Sequence, residues 1–181
     1  AMMREDQQAS ARHLASRFLD KAESEGRMEV IADFAYPYAT SLTALRLGTP
    51  PEDVPYLRPW LVDLTNAFSL TADEEAQKRG DAAVSHLMAY LEKNIARACA
   101  AETPNVLKAL ASVPSLPRPE ALADALLVLW AGYVTSMNLL GNGIAALLRH
   151  QLDAPTDEGT GLDHGATLRE SIGQVVHAEA L

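Results

Sequence analysis

Residues 122–148 constrain this chain more than any other stretch. They are apolar on nearly every face of a helix, interrupted by Asp124, Asn138 and Asn142 and by Gly132, Gly141 and Gly143. Length alone would permit a membrane span. No tryptophan or tyrosine belt brackets the run, however, and the remaining helical segments are amphipathic in the manner of a globular protein. The expectation is therefore a soluble domain without membrane contact, built around this helix and burying it on all sides.

The rest of the chain reads as helix throughout. Residues 8–25 carry Ala11, Leu14, Ala15, Phe18, Leu19 and Ala22 at three-four spacing, and Gly26 stops them. A second, more buried helix is expected over residues 28–47, ended by Gly48. The turn Thr49-Pro50-Pro51-Glu52-Asp53 leads into a third over about residues 52–70, with Pro59 placed to kink it. Thr71-Ala72-Asp73-Glu74 has the form of an N-cap followed by first-turn acids. It opens a helix striped by Val84, Leu87, Met88, Leu91, Ile95 and Ala98. A short helix at residues 105–111 follows, and Pro104, Pro114, Pro117 and Pro119 punctuate the approach to the long apolar one. Residues 1–7 are expected to be a disordered tail, residues 151–165 a flexible loop, and residues 166–180 a last helix. With no strand pattern in competition, the class is all-α and the chain, 1–181, a single domain.

Composition narrows the function. Fifteen basic against 24 acidic side chains leave a net charge of −9, which argues against a nucleic-acid partner, since phosphate binding needs clustered Lys and Arg. The single cysteine, Cys99, excludes an intrachain disulfide framework and a multi-cysteine metal site. Asp163-His164 has no third partner in view, so no metal site is read there, and no cofactor is expected. The polar N-terminus carries no signal-like apolar run, which makes the cytoplasm the default.

Three stretches, in order, resemble the bacterial cytochrome P450 family of haem-thiolate monooxygenases. The first is Ala32-Asp33-Phe34-Ala35-Tyr36-Pro37 with Leu47-Gly48-Thr49-Pro50-Pro51-Glu52-Asp53, similar to the family's E helix and its turn into the F helix. The second is Ala131-Gly132-Tyr133-Val134-Thr135, followed by Asn138-Leu139-Leu140-Gly141-Asn142-Gly143, similar to the long I helix with its Ala/Gly-Gly-x-acid-Thr signature. The third is Ile172-Gly173-Gln174-Val175-Val176-His177, where the family has its K-helix Glu-x-x-Arg. The resemblance runs from the D to the K helix. It implies a truncated helical bundle around the I-type helix, without the β-rich lobe.

The departures shape the functional expectation. Val134 stands where the family carries an acid, Gln174 and His177 replace the K-helix ion pair, and the chain stops before the family's cysteine-ligand loop. Cys99 lies in the G-like helix and cannot substitute. A haem-less member is expected, one that binds a hydrophobic substrate of polyketide- or terpenoid-like metabolism and promotes a non-redox step such as cyclisation, isomerisation or dehydration. The alternative is a non-catalytic accessory protein that activates a partner enzyme such as a glycosyltransferase. By resemblance and helical spacing, Leu127, Trp130, Ala131 and Val134 line the substrate face, with Thr135, Asn138 and His177 as the polar groups for catalysis. Trp60, Leu64, Phe68, His86 and Tyr90 are candidates for the lid, of which Phe68 and Tyr90 are expected to roof the site. Leu126, Leu129, Leu139, Leu140, Ile144 and Leu147 remain apolar although the family covers them with haem and β-lobe, so a homodimer is expected to bury them.

Overall fold

The computed structural model describes the backbone of residues 2–153 and the side chains of residues 8–150. The loop at 151–165 therefore falls almost wholly, and the helix expected at 166–180 wholly, outside the described residues. Among the described residues there are helices and turns and no strand, so the fold is all-α. The helices are α1 (Met2–Glu25), α2 (Tyr36–Leu47), α3 (Val54–Ala67), α4 (Glu74–Ala100), α5 (Val106–Ala111) and α6 (Arg118–Asp153). A π-helical turn, Val30–Ala35, precedes α2, and a single 3-10 turn, Pro51–Asp53, precedes α3. Helix α1 begins at Met2, taking in residues expected to form a tail. Helix α3 stops at Ala67, earlier than the spacing suggests, and leaves Phe68 and Leu70 in the connection.

Two compact units share the chain. Thr40–Tyr133 forms one, and the described residues through Ala39 join those of α6 from Val134 in the other. In the latter, Ala11, Leu14 and Ala15 are the buried edge of α1. The π-helical turn is held by a reciprocal cap: the Glu29 carboxylate accepts from the backbone N–H of Ile31 and Ala32, while Asp33 accepts from the N–H of Glu29 at 2.8 Å. Those are donors that a helix start would otherwise leave unsatisfied. Phe34 and Tyr38, both fully buried, stack with ring centroids 5.6 Å apart.

In the Thr40–Tyr133 unit, α3 and α4 pack against each other and α5 closes on α4. The contact is written in the sequence as Leu57, Leu61 and Leu64 on α3 facing Ala83, Leu87, Leu91 and Ile95 on α4, every one of them buried. Helix α4 opens on Asp73, whose side chain accepts from the Ala76 N–H at 2.8 Å. Its far end is tied by Asn105, which donates to the Ala98 carbonyl at 2.9 Å and caps α5 through the Lys108 N–H. Gly48 ends α2 with φ +88°, a left-handed geometry that glycine adopts without strain, and Asn105 fills the space where a side chain would stand. At the α3–α4 contact Gly80 has no room for more: a β-carbon there would overlap that of Ala67.

Helix α6 differs from the expectation. Ala121, Leu122, Ala125, Leu126, Leu129 and Tyr133 are buried, and so, further along, are Leu140 and Ile144. The intervening positions are not: Leu127 is 58% and Leu139 55% exposed. The helix is thus covered along a stripe rather than on all sides, because its buried positions recur largely at three and four while Leu127, Val128 and Leu139 between them stay exposed. Most of the leucine stripe expected to need a second copy (Leu126, Leu129, Leu140, Ile144) is already buried within one chain, Leu147 is half-buried, and Leu139 alone stays open.

Gly80→Ala is expected to lower unfolding stability by about 1–3 kcal/mol through overpacking against Ala67, read from the urea midpoint. A midpoint at or above that of the parent chain would mean that α3 and α4 do not meet at this glycine.

Candidate functional site

Thr65 sits in the last part of α3 and donates back to the Leu61 carbonyl at 2.7 Å. Its lone pairs are therefore available, and of the two aromatic residues of α6 beside it the Trp130 indole uses one. Trp130 Nε1–H donates to Thr65 Oγ1 at 3.0 Å, and Tyr133 Oη lies 2.8 Å from the same oxygen and donates to the Leu61 carbonyl at 3.1 Å. Burial holds the Tyr133 phenol above its usual pKa, with the bond to Thr65 opposing. Phe68, just past the end of α3, stacks on Trp130 with ring centroids 4.6 Å apart. The structure thus brings together two residues expected at the substrate face, Phe68 and Trp130. The Trp130 N–H is consumed by Thr65, so Trp130 contributes only apolar area.

The other expected positions fall as follows. Leu127 is exposed and Ala131 half-buried within the same unit. On the continuation of α6 that belongs to the other unit, Val134 is half-buried while Thr135 and Asn138 are exposed. Helical spacing puts all five on one stripe. His177 and its neighbour Gln174 lie outside the described residues. Leu64 is core.

Tyr90 joins neither Phe68 nor Trp130. Its hydroxyl donates to Asp53 Oδ2 at 3.0 Å, and burial, then the adjacent Asp53 carboxylate, raise the phenol above its ordinary pKa, against an opposing bond to Thr49. This pair marks a cleft of about 400 Å³ between the Pro51–Asp53 turn, α3 and α4. Trp60, on its wall, stacks on His86 with centroids 5.0 Å apart. Sequence reasoning singled out Trp60, His86 and Tyr90 but not Asp53, which read only as a turn residue. Asp53 and Tyr90 are 37 positions apart, and no local pattern links them.

Haem is the group the resemblance implies, and the departures from the family that bear on it lie on α4 and α6 among the described residues. Cys99, the one cysteine of the sequence, is exposed near the end of α4. Val134 supplies no acid before Thr135, and the described residues contain no cluster of His, Cys, Asp and Glu able to hold a metal ion.

No family model matches the chain. Individual relatives do. It is 30% identical over 135 residues to the biotin biosynthesis cytochrome P450 of Bacillus subtilis, covering 73% of this chain and 34% of that one. It is 28% identical to the vitamin D(3) 25-hydroxylase of Pseudonocardia autotrophica over 76% of this chain and 34% of the relative. The crystal structure of P450BioI in complex with hexadec-9Z-enoic acid ligated acyl carrier protein superimposes with a TM-score of 0.75 at 25% identity, covering 96% of this chain and 44% of that one. The chain belongs to the cytochrome P450 family and spans about a third of the length of the curated relatives it matches.

Thr65→Val removes the acceptor at nearly constant volume. It is expected to cost about 1–3 kcal/mol by leaving the Trp130 N–H without its acceptor, with Thr65→Ser recovering most of the loss. Denaturant unfolding followed by tryptophan fluorescence measures it. Equal stability of the valine variant and the parent would show that these bonds do not hold the cluster.

Proposed function

We propose that this chain is a haem-independent member of the family, acting in the cytoplasm, that binds a hydrophobic small molecule along the outward stripe of α6 and promotes a non-redox step. Cyclisation and isomerisation conserve the substrate's atoms, and dehydration releases only water, so none of them draws electrons from a cofactor. The observation that carries this reading is the open stripe itself. Leu127 is exposed and Ala131 half-buried on the helix, and further along it Thr135 and Asn138 are exposed. Val134 in place of the acid supports chemistry other than oxygen activation.

Holding a flexible apolar chain in a reactive conformer needs shape and a few directional hydrogen bonds. Thr135 and Asn138 would supply the bonds. His177, by resemblance in the K-like segment, would serve as acid or base near neutral pH. The relatives support the ligand class, since one is named a vitamin D(3) 25-hydroxylase and another was crystallised with hexadec-9Z-enoic acid ligated acyl carrier protein. A homodimer belongs to the same reading, in which a second copy would cover Leu139, the member of the leucine stripe that stays open.

A second reading, an accessory protein that activates a partner enzyme, is favoured by a different observation. Phe68 is 66% exposed and Leu70 wholly so, an apolar surface that a protein partner could cover.

Two measurements decide. Expressed with haem supplied, then reduced and treated with carbon monoxide, the protein is expected to show no Soret band; a band at stoichiometric intensity overturns the haem-independent reading. Titration with a fluorescent fatty acid is expected to saturate, with Thr135→Ala/Asn138→Ala weakening binding by about fivefold or more at unchanged stability. Absence of saturation, or equal binding by the variant, removes the α6 stripe as the site and leaves the accessory reading.

A further inference from the structure

The cleft beside Tyr90 lies wholly within the Thr40–Tyr133 unit and shares none of its lining with the α6 stripe. Its walls carry opposite charge. Glu52 and Asp53 come from the 3-10 turn on one side, and Lys93 and Arg97, one helical turn apart, come from α4 on the other. No ion pair within 4 Å joins these acids to these bases, nor any of the four to another described residue. Opposite charges that line one cleft without pairing leave room for a group that pairs with both.

The remaining lining defines the rest of that group. Tyr56 and Trp60 stand one turn apart on α3. Tyr56 is 74% exposed, and Trp60 is half-buried and backed by the stacked His86 ring. Such flat faces take an apolar or aromatic body, and they attract an ammonium placed over them. Inside the cleft, Tyr90 and Asn94 are already engaged. The phenol donates to Asp53, and Asn94 Nδ2 donates to the Tyr90 carbonyl at 2.9 Å. The floor is therefore fixed before a ligand arrives, and the Asn94 side-chain oxygen is left as an acceptor. At about 400 Å³ the cleft falls in the size range of small-molecule sites.

We infer that this cleft is a binding site for a small zwitterion with an apolar or aromatic body, of the amino-acid class. The ammonium faces Glu52 and Asp53, the carboxylate meets Lys93 and Arg97 in charge-assisted bonds, and the body lies on Tyr56 and Trp60. The site is independent of any chemistry on α6.

The probe is L-phenylalanine, titrated into the full chain and followed by the two tryptophan indole N–H resonances. The Trp60 resonance is expected to shift saturably while that of Trp130, held by Thr65, stays in place and reports an intact fold. Phenethylamine and 3-phenylpropionate each keep one charge and are expected to bind about fivefold more weakly or worse, as are Lys93→Gln/Arg97→Gln and Glu52→Gln with L-phenylalanine. These variants lie at exposed positions, and an unmoved Trp130 resonance certifies their folding. No saturable shift of Trp60 overturns the inference. So does equal binding of 3-phenylpropionate, which would make the cleft a plain anion site, or an undiminished response in the charge variants.

Discussion

The side-chain hydroxyl of Thr65 and the two α6 aromatics beside it set what the rest of the Thr40–Tyr133 unit can do. An indole N–H and a phenol in a partly dry environment each need a partner, and an unmet one costs more than a met one gains. Thr65 meets the indole because it turns its own proton back to the Leu61 carbonyl and keeps its lone pairs outward, while the phenol beside it donates to the same carbonyl. That fixes which side of α6 is turned to α3, and so which residues between the buried ones are left over. Leu127 is exposed because Trp130 and Tyr133 are held, and the same register carries along the helix to Thr135 and Asn138.

Membership in the cytochrome P450 family and the properties of this stripe bear on each other in a particular way. The resemblance implies a haem against the corresponding helix, and two residues depart from what the family places there. Val134 offers no proton, and Cys99 stands exposed on α4. What is kept is the architecture of packed α3, α4 and α6 with an uncovered apolar face. Fold alone does not carry activity; the proposed function rests on that uncovered face and on the two polar side chains spaced along it.

Much of this was legible in the sequence, and the reasons are local. Three-four spacing located α4 and its buried Leu87, Leu91 and Ile95, Gly26 and Gly48 marked helix ends through their positive φ, and the acids after Thr71 announced the α4 cap. The exposure of α6 was not legible. Periodicity in an all-apolar run does not say which side is covered; that is decided by partners such as Thr65, 65 positions away. The Asp53–Tyr90 pair escaped for the same reason, and the π-helical turn because its stabilising cap, Glu29 with Asp33, resembles an ordinary helix start.

The central claim is that α6 keeps one stripe covered and the next one open in the single chain. Hydroxyl-radical footprinting with residue-level mass spectrometry tests it directly, because leucine oxidation follows solvent access. The account predicts ready modification of Leu127 and Leu139 and protection of Leu129, Leu140 and Ile144. Equal protection of all five, or modification of Leu129 ahead of Leu127, would contradict it.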